Sequence, residues 1–394
     1  MQPDKRLKVA MVVPVGLGGF LQLSLNLCEA LAHCGVDTTL ITSRNSDEVP
    51  DQENGYRIVK LLGGMNRDQA RLLRGLSYSA SLLGLRRLLK RERYDIVHFQ
   101  DSFVPFADAP FFTLAGKGQA KTVFSAHDPD QDAITSAKSK KLGLRRLALT
   151  RIYRAADGVV VMSESAREDM VSGFGVPERK VARTALGTCL SCDVEQPPAK
   201  DVARKKLGIA ADRKLLLFFG SLKPSKGLEY LIRAFAQVQA ADPSTHLLIA
   251  GEPRGVDPSA YPSQIAALGL AEAVSFRPGY VPTEEVPHYF AAADLVVLPY
   301  LRIYQSAVLQ LAYSFGRPVV ATRVGGLAED VVEGKSGLLV PPADEQALAA
   351  AILELIASPR RLEAMGDYGR KLSQTAYSWD EIARQTLRFY ESLL

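Results

Sequence analysis

Short unbroken runs of apolar and β-branched residues recur along the chain, separated by longer stretches with helical periodicity. In the first half the runs fall at 9–15, 38–42, 57–61, 95–99, 122–126 and 158–162. In the second half they fall at 215–219, 247–250, 273–276, 295–298, 318–322 and 338–340. A strand with no polar face must be covered on both sides, which is the condition of a parallel sheet flanked by helices. Alternation of such strands with helices, sustained twice, predicts an α/β chain of two doubly wound, Rossmann-like domains. From Asp193 to Lys200 the sequence is polar, Pro-rich and without periodicity, as a linker is. Domains are therefore expected over 1–195 and 205–375. The closing segment, 376–394, reads as an amphipathic helix behind a Ser378 cap, with Ile382, Leu387, Tyr390 and Leu393 available for burial.

Composition narrows the class. A chain of 394 residues, 47% hydrophobic and 23% charged, is too long for a disulfide-stapled scaffold and too apolar for disorder or a fibrous repeat. The roughly 18 consecutive apolar residues of a membrane-spanning helix occur nowhere. Lys5 and Arg6 precede the first apolar run as in a secretory leader, but Pro14, Gly16, Gly18 and Gly19 break that run and no small-x-small cleavage site follows. Four cysteines, Cys28, Cys34, Cys189 and Cys192, are too few for a disulfide framework, so a reducing, cytoplasmic setting is expected. Cys189 and Cys192 form a C-x-x-C that a redox pair would use, although it sits before the linker and not at a helix start after the first strand.

Chemistry in open α/β folds gathers on the loops after the strands, and two such sheets facing one another leave a cleft at those strand ends. The first strand passes through Val15-Gly16-Leu17-Gly18-Gly19-Phe20 into a helix expected over 21–33, where backbone N–H groups can approach a phosphate or a sugar hydroxyl, or simply form a tight turn. The spacing is not that of a dinucleotide site. The second strand ends in Thr42-Ser43-Arg44 with no acidic residue, which leaves an NADP enzyme as a trailing alternative through Arg44. His127 ends the fifth strand and can serve a substrate oxygen or be satisfied locally; His98 ends the fourth and is a weaker candidate. His33, His246 and His288 read as structural.

In the second half, Ser221-Leu222-Lys223-Pro224-Ser225-Lys226-Gly227 joins a strand to an amphipathic helix, and its lysines with the helix dipole suit a diphosphate. It is not a Walker A loop. Gln305 to Ala312 reads as a helix whose first N–H groups are free, and Gly325-Gly326-Leu327-Ala328-Glu329 as a glycine loop into another. No metal-ligand spacing of His, Cys, Asp and Glu appears, so no metal is expected.

Taken in order, these pieces resemble the family-4 glycosyltransferases, retaining enzymes of the GT-B fold that move a sugar from a nucleotide sugar to an acceptor. The likeness extends over most of the chain, and the 295–342 block carries its specific part. It implies two Rossmann-like domains facing across a cleft, with Tyr377-Ser378-Trp379 opening a last helix that crosses back onto the first domain. It implies that His127 contacts the transferred sugar and that Lys226 neutralises the leaving diphosphate. Gly18, Gly19, Ser221, Lys223, Gln305, Ser306, Ala307 and Val308 fall at donor diphosphate and sugar positions. Gln310 falls at the ribose, and Gly279 and Tyr280, in the loop 277–281, at the base. Arg302 and Glu329 lie in the same region without a settled role. The donor would be a UDP- or GDP-linked sugar, no further cofactor or metal is called for, and the product would belong to polysaccharide or glycoconjugate biosynthesis.

The sequence also departs from that family. Its two glutamates, eight positions apart, are Arg302 and Gln310 here, its phosphate-binding arginine is Ser221, and its Asn-Gly or His-Gly before the linker is Leu186-Gly187. Gln310 keeps a donor and an acceptor for a ribose but no charge, whereas Arg302 cannot replace a carboxylate. The departures fit an active branch with shifted donor contacts or a catalytically silent GT-B protein that binds nucleotide sugar or a partner enzyme. The intact 305–309 segment, Lys226, Gly326 and His127 favour activity.

The 48 Lys and Arg exceed the 43 Asp and Glu by five, and the excess is clustered. Arg71, Arg74, Arg86, Arg87, Lys90, Arg91 and Arg93 lie in one helical stretch, and Lys138, Lys140, Lys141, Arg145, Arg146, Arg151 and Arg154 in another, both interleaved with leucines. These are solvated faces over core leucines, or they hold 71–93 and 138–154 against the anionic inner face of a membrane that presents a lipid-linked acceptor. No nucleic-acid recognition motif accompanies the charge.

Overall fold

Thirteen strands form two all-parallel sheets in the computed structural model, which describes residues 6–14, 18–44, 46, 55–63, 71–100, 102, 104–115, 120–129, 140–188 and 197–394. The chain divides into two units, Met1–Cys189 with Trp379–Leu394, and Leu190–Ser378. In the first, β1 (Lys8–Val13), β2 (Asp37–Ser43), β3 (Arg57–Leu62), β4 (Ile96–Phe99), β5 (Lys121–Ser125), β6 (Gly158–Val161) and β7 (Val181–Arg183) stand in the order β3-β2-β1-β4-β5-β6-β7. Helices α1 (Gly18–His33), α2 (Arg71–Glu92), α3 (Pro105–Ala115), α4 (Lys140–Ala155) and α5 (Glu164–Glu168) connect them.

The second unit carries β8 (Lys214–Phe219), β9 (Thr245–Gly251), β10 (Val274–Pro278), β11 (Leu295–Leu298), β12 (Val319–Thr322) and β13 (Gly337–Val340), ordered β10-β9-β8-β11-β12-β13. Its helices are α6 (Lys200–Lys206), α7 (Leu228–Ala241), α8 (Ala260–Ala267), α9 (Val286–Ala292), α10 (Ala307–Ser314), α11 (Gly325–Asp330), α12 (Glu345–Ile356) and α13 (Pro359–Gln374). In each sheet the strand order reverses once, between β1 and β4 and between β8 and β11. At such a switch point the flanking helices diverge to opposite faces and leave a crevice at the strand ends.

The central strands are buried on both faces, as their continuous apolar runs predict: β11 and β12 are wholly buried, and five of the six residues of β1 are. Three local expectations are corrected. Strand β7 had no apolar run to announce it, because an edge strand of three residues buries one side chain, Val181. Helix α1 begins at Gly18, so Gly18 and Gly19 form its first turn instead of a loop; residues 15–17 lie outside the described residues. Helix α10 begins at Ala307 behind the N-cap Ser306, which leaves Gln305 outside it. The Cys189–Cys192 pair also lies outside the described residues.

Helix α14 (Trp379–Leu393) belongs to the first unit and packs along α1. Ile382, Ala383 and Tyr390 join Val9, Met11, Leu25 and Leu31 in its core. Two hydrogen bonds tie the helix to the 185–188 segment, from Trp379 Nε1 to the Thr188 carbonyl at 3.1 Å and from the Ala185 N–H to Gln385 Oε1 at 3.3 Å, and Asn26 Nδ2 of α1 donates to the same Thr188 carbonyl at 3.2 Å. Gly187 is required beneath the indole, since a Cβ there would lie 2.6 Å from the Trp379 ring.

Candidate active site

In the first unit, side chains alternate faces along a strand, so His98 and Gln100 share one face of β4 and its end, and Ser125 and His127 share the same face of β5. The register, His98 opposite Val123, brings the pairs together. His98 Nε2 lies 2.8 Å from Ser125 Oγ, and His127 Nε2 lies 3.1 Å from Gln100 Oε1. His98 Nδ1 reaches the Tyr390 hydroxyl of α14 at 2.5 Å, and Gln100 Nε2 donates to Met11 Sδ at 2.9 Å. All four polar residues line a small cavity whose remaining walls include Leu23 and Leu27 of α1, residues 184–187, and Trp379, Ile382 and Thr386 of α14. Burial pushes the His127 pKa down to about 4, opposed by a hydrogen bond with the Gln100 main chain. Burial, together with the neighbouring His127, lowers that of His98 to about 3. Both rings are neutral at physiological pH.

In the second unit, three post-strand loops lock together at the carboxyl ends of the central strands. Gly227 adopts φ +63°, and a Cβ there would meet the Pro299 carbonyl oxygen at 2.1 Å. That close approach, with the bond from Leu301 N–H to the Ser225 carbonyl at 2.9 Å, joins the loop after β8 to the loop after β11. Lys226 Nζ consequently sits 3.5 Å from the centre of the Tyr300 ring. Tyr300 is fully buried, its hydroxyl without a hydrogen-bond partner among the described residues, and burial raises its pKa. Gly326, at the start of α11, passes so near the Tyr304 carbonyl that a Cβ would lie 2.3 Å from it, which brings in the loop after β12. Arg302 Nη2 donates to the Tyr304 hydroxyl at 3.3 Å. Ser306 Oγ accepts from Leu309 N–H at 3.3 Å, so the N–H groups of Ala307 and Val308 are those ahead of the first capped turn. On the next turn of α10, Gln310 is buried with neither Nε2 nor Oε1 hydrogen-bonded among the described residues.

Comparison with known proteins places this arrangement. Residues 17–187 match the profile described as "Glycosyltransferase Family 4", and residues 199–372 the one described as "Glycosyl transferases group 1". The chain is a family-4-like GT-B glycosyltransferase. Among curated relatives of this transferase, the D-inositol 3-phosphate glycosyltransferase of Corynebacterium urealyticum is 28% identical over 95% of this chain and 91% of that one. The GDP-mannose-dependent alpha-(1-6)-phosphatidylinositol monomannoside mannosyltransferase of Mycolicibacterium smegmatis is 34% identical over 60% of this chain and 63% of its own. Solved structures share the fold. Sucrose-phosphate synthase from Thermosynechococcus elongatus matches with a TM-score of 0.76 and 23% identity over 98% and 99% of the two chains, and Anabaena HepE in complex with UDP and glucose with 0.75 and 20% over 98% and 100%.

The glycosyltransferase therefore works on a nucleotide sugar, and its candidate residues sort by unit. His127, Gly18 and Gly19 belong to the first, with Gly19 exposed on the opening turn of α1. Ser221, Lys223, Lys226, Arg302, Gln305, Ser306, Ala307, Val308 and Gln310 belong to the second, on the loops after β8 and β11 and the start of α10. Gly279 donates its N–H to the Gly251 carbonyl at the end of β9, and Tyr280 beside it is 70% exposed. Arg277 is a β10 residue whose guanidinium donates to the Leu207 carbonyl, so it does not belong to the base loop. Glu329 is exposed on α11, on the solvent side of that helix. Sequence reasoning missed the contributions of Gln100 and Tyr390. The period of two that pairs His98 with Gln100 was the available signal for the first. For the second, only the tertiary fold brings α14 to β4.

Proposed function

We propose that this transferase is retaining and metal-independent, using a UDP- or GDP-linked hexose and a saccharide or lipid-linked acceptor of a glycoconjugate pathway. The observation that carries the donor reading is the second-unit arrangement: two backbone N–H groups at the α10 start, Lys226 held over Tyr300, and the buried Gln310 amide a turn further on. Each meets one part of a nucleoside diphosphate. The N–H groups and Lys226 stabilise charge developing on the departing diphosphate, the main source of acceleration in such a transfer, and lysine supplies the counter-charge a metal would otherwise bring. Gln310 offers a donor and an acceptor to the ribose diol. His127, neutral, hydrogen-bonds the transferred sugar.

For the acceptor, we infer a phosphorylated or lipid-borne polyol presented at an anionic membrane. Helix α2 carries six basic residues to one acidic, and α4 six to none, which leaves the rest of the chain net acidic. Right-handed crossovers place α2, α3 and α4 on one face of the sheet, and α3 packs against both others. That face exposes Leu76, Leu83, Phe106, Leu144 and Leu147, and the last three rim a groove between α3 and α4 that ends at Arg151. Exposed leucines among cations suit an anionic bilayer. Arg146 and Arg154 do not serve it, since they bond the Gly173 and Phe174 carbonyls. No helix among the described residues is long and apolar enough to cross a membrane, which fits peripheral attachment at the inner face. The names of the two relatives above, one on D-inositol 3-phosphate and one on a phosphatidylinositol monomannoside, support this acceptor class.

The test is incubation with UDP-, GDP- and ADP-sugars without metal, reading nucleoside diphosphate release by mass spectrometry. Release from one donor, lost in Lys226→Ala, is expected. Nucleotide binding without release, in the presence of phosphoinositide and saccharide acceptors, would instead mark a silent binding protein. Co-sedimentation with phosphatidylcholine vesicles, with and without phosphatidylglycerol, tests the surface: binding only to anionic vesicles, abolished by Leu144→Asp with Leu147→Asp, is expected.

A further inference from the structure

The two side-chain rungs between β4 and β5 have a polarity that the donor and acceptor inventory resolves. Met11 Sδ can only accept, and it takes its hydrogen bond from Gln100 Nε2 at 2.9 Å. The Gln100 amide is thereby held in one orientation, with Oε1 turned to His127 Nε2 at 3.1 Å. A carbonyl oxygen has no proton to give, so His127 must donate from Nε2. The imidazole is neutral, and a neutral ring with its proton on Nε2 carries its lone pair on Nδ1. Exchanging the tautomer would set lone pair against lone pair where Met11, Gln100 and His127 are all buried.

We propose that Gln100 is a positioning residue that holds His127 in the Nε2–H tautomer, so that Nδ1 accepts a hydrogen bond from a hydroxyl of the transferred sugar. Identifying the hydroxyl as the sugar's rests on the transferase reading above; the tautomer does not. In this role His127 orients a polar substrate group as a neutral acceptor, and it is not a cationic acid. The adjacent rung, from His98 to Ser125 and Tyr390, ties together the same strand ends.

The experiment uses the full chain labelled with ¹⁵N-histidine, with His127 assigned by the signal lost in His127→Asn. Long-range ¹H–¹⁵N spectra at neutral pH are expected to show a protonated Nε2 and an unprotonated Nδ1. Gln100→Leu should give a tautomer mixture and lower kcat by up to about tenfold, the scale of one hydrogen bond to the substrate. The donor KM should rise as well, because the bond to the sugar hydroxyl is made in the bound substrate as well as in the transition state. Gln100→Glu keeps an acceptor at Nε2 but its carboxylate favours the imidazolium, so Nδ1 should gain a proton and kcat should stay low. His127→Asn, whose amide can replace Nδ1, should retain more turnover than His127→Gln, which reaches toward Nε2. An Nδ1–H tautomer or an imidazolium in the unmodified protein overturns the proposal. So does a Gln100→Leu protein with unchanged tautomer and kcat. If Gln100→Leu does not fold, as reported by Trp379 fluorescence, the unmodified protein's spectrum and the Asn/Gln pair at 127 still decide. If no donor turns over, the transferase reading fails while the spectra judge the tautomer separately.

Discussion

Replacing Gln310 by leucine should make the second unit more stable and the enzyme worse at holding nucleotide. Gln310 is 1% exposed and neither amide atom is hydrogen-bonded among the described residues. A buried polar group without a partner costs about 1–3 kcal/mol in folded proteins. Leucine nearly matches glutamine in volume and has nothing to satisfy, so Gln310→Leu recovers that cost. For a unit of this size each kcal/mol moves Tm by roughly 2–4 °C, which gives an expected rise from about 2 °C to about 12 °C. The amide is retained, on this reasoning, because a ribose diol completes it. Two hydrogen bonds of about 0.5–1.5 kcal/mol each then correspond to a roughly 5- to 150-fold weaker Kd for the nucleoside diphosphate. Calorimetry supplies both quantities: thermal scans with and without UDP or GDP, and titration of each nucleotide into each protein. The two proteins should converge at saturating nucleotide, the variant melting higher when bare and the unmodified chain gaining more from the ligand. A bare variant melting below the unmodified chain would show that the amide is paired. A higher Tm with unchanged affinity would remove Gln310 from the nucleotide site.

Three further outcomes follow from the geometry. His127 and His98 titrate near 4 and 3 in the folded chain, against about 6.5 unfolded. The unfolded state therefore binds more protons between those values, and the stability these rings contribute above pH 6.5 is lost as pH falls through the folded pKa values. The slope should approach about 3 kcal/mol per pH unit for two protons and roughly halve in His127→Asn, as measured by urea unfolding from pH 4.5 to 7.5. A flat profile would count against two buried neutral imidazoles. Tyr390→Phe strands His98 Nδ1 and should cost about 1–3 kcal/mol in the first unit. The chain's one tryptophan, Trp379, lies in that unit, so its fluorescence should report the shift in the denaturant midpoint, and no change would mean that the hydroxyl contributes nothing there. Gly227→Ala meets both a positive φ and the Pro299 carbonyl and should cost more than about 2 kcal/mol along with donor turnover. Gly255→Ala, at φ +72° with open space around it, should cost about 1 kcal/mol and spare turnover. Equal effects at the two glycines would refute the close approach.

The strands were legible because burial on both faces leaves no room for alternation, and β7 escaped because an edge strand of three residues needs one apolar side chain. The start of α1 was misplaced because glycine lowers helix propensity in the interior but not in a first turn, where an open approach is worth more than side-chain packing. His127 stood out as a histidine at a strand end, and Lys226 as a lysine at a helix start. Nothing local marked Tyr300 as the ring beneath Lys226, because a glycine-enforced contact between two loops brings them together. The unpaired state of Gln310 is likewise tertiary, since glutamine on a helix is ordinarily solvated. Charge was legible as a cluster, but only coordinates separate Arg146 and Arg154, which brace the 173–174 turn, from the arginines that face outward.

Helix α14 closes a core whose other members lie before residue 190, and the ribosome delivers it only after the whole second unit has been made. During synthesis the first unit thus waits with His98 unpartnered by Tyr390 and with the apolar flank of α1 uncovered, while the second unit has every strand it needs. Domains usually complete themselves in the order in which they emerge, and here that order is reversed. A transcript cut short just before the codon for Trp379 would therefore yield a second unit with its sheet complete, joined to a first unit that exposes apolar surface to chaperones and proteases.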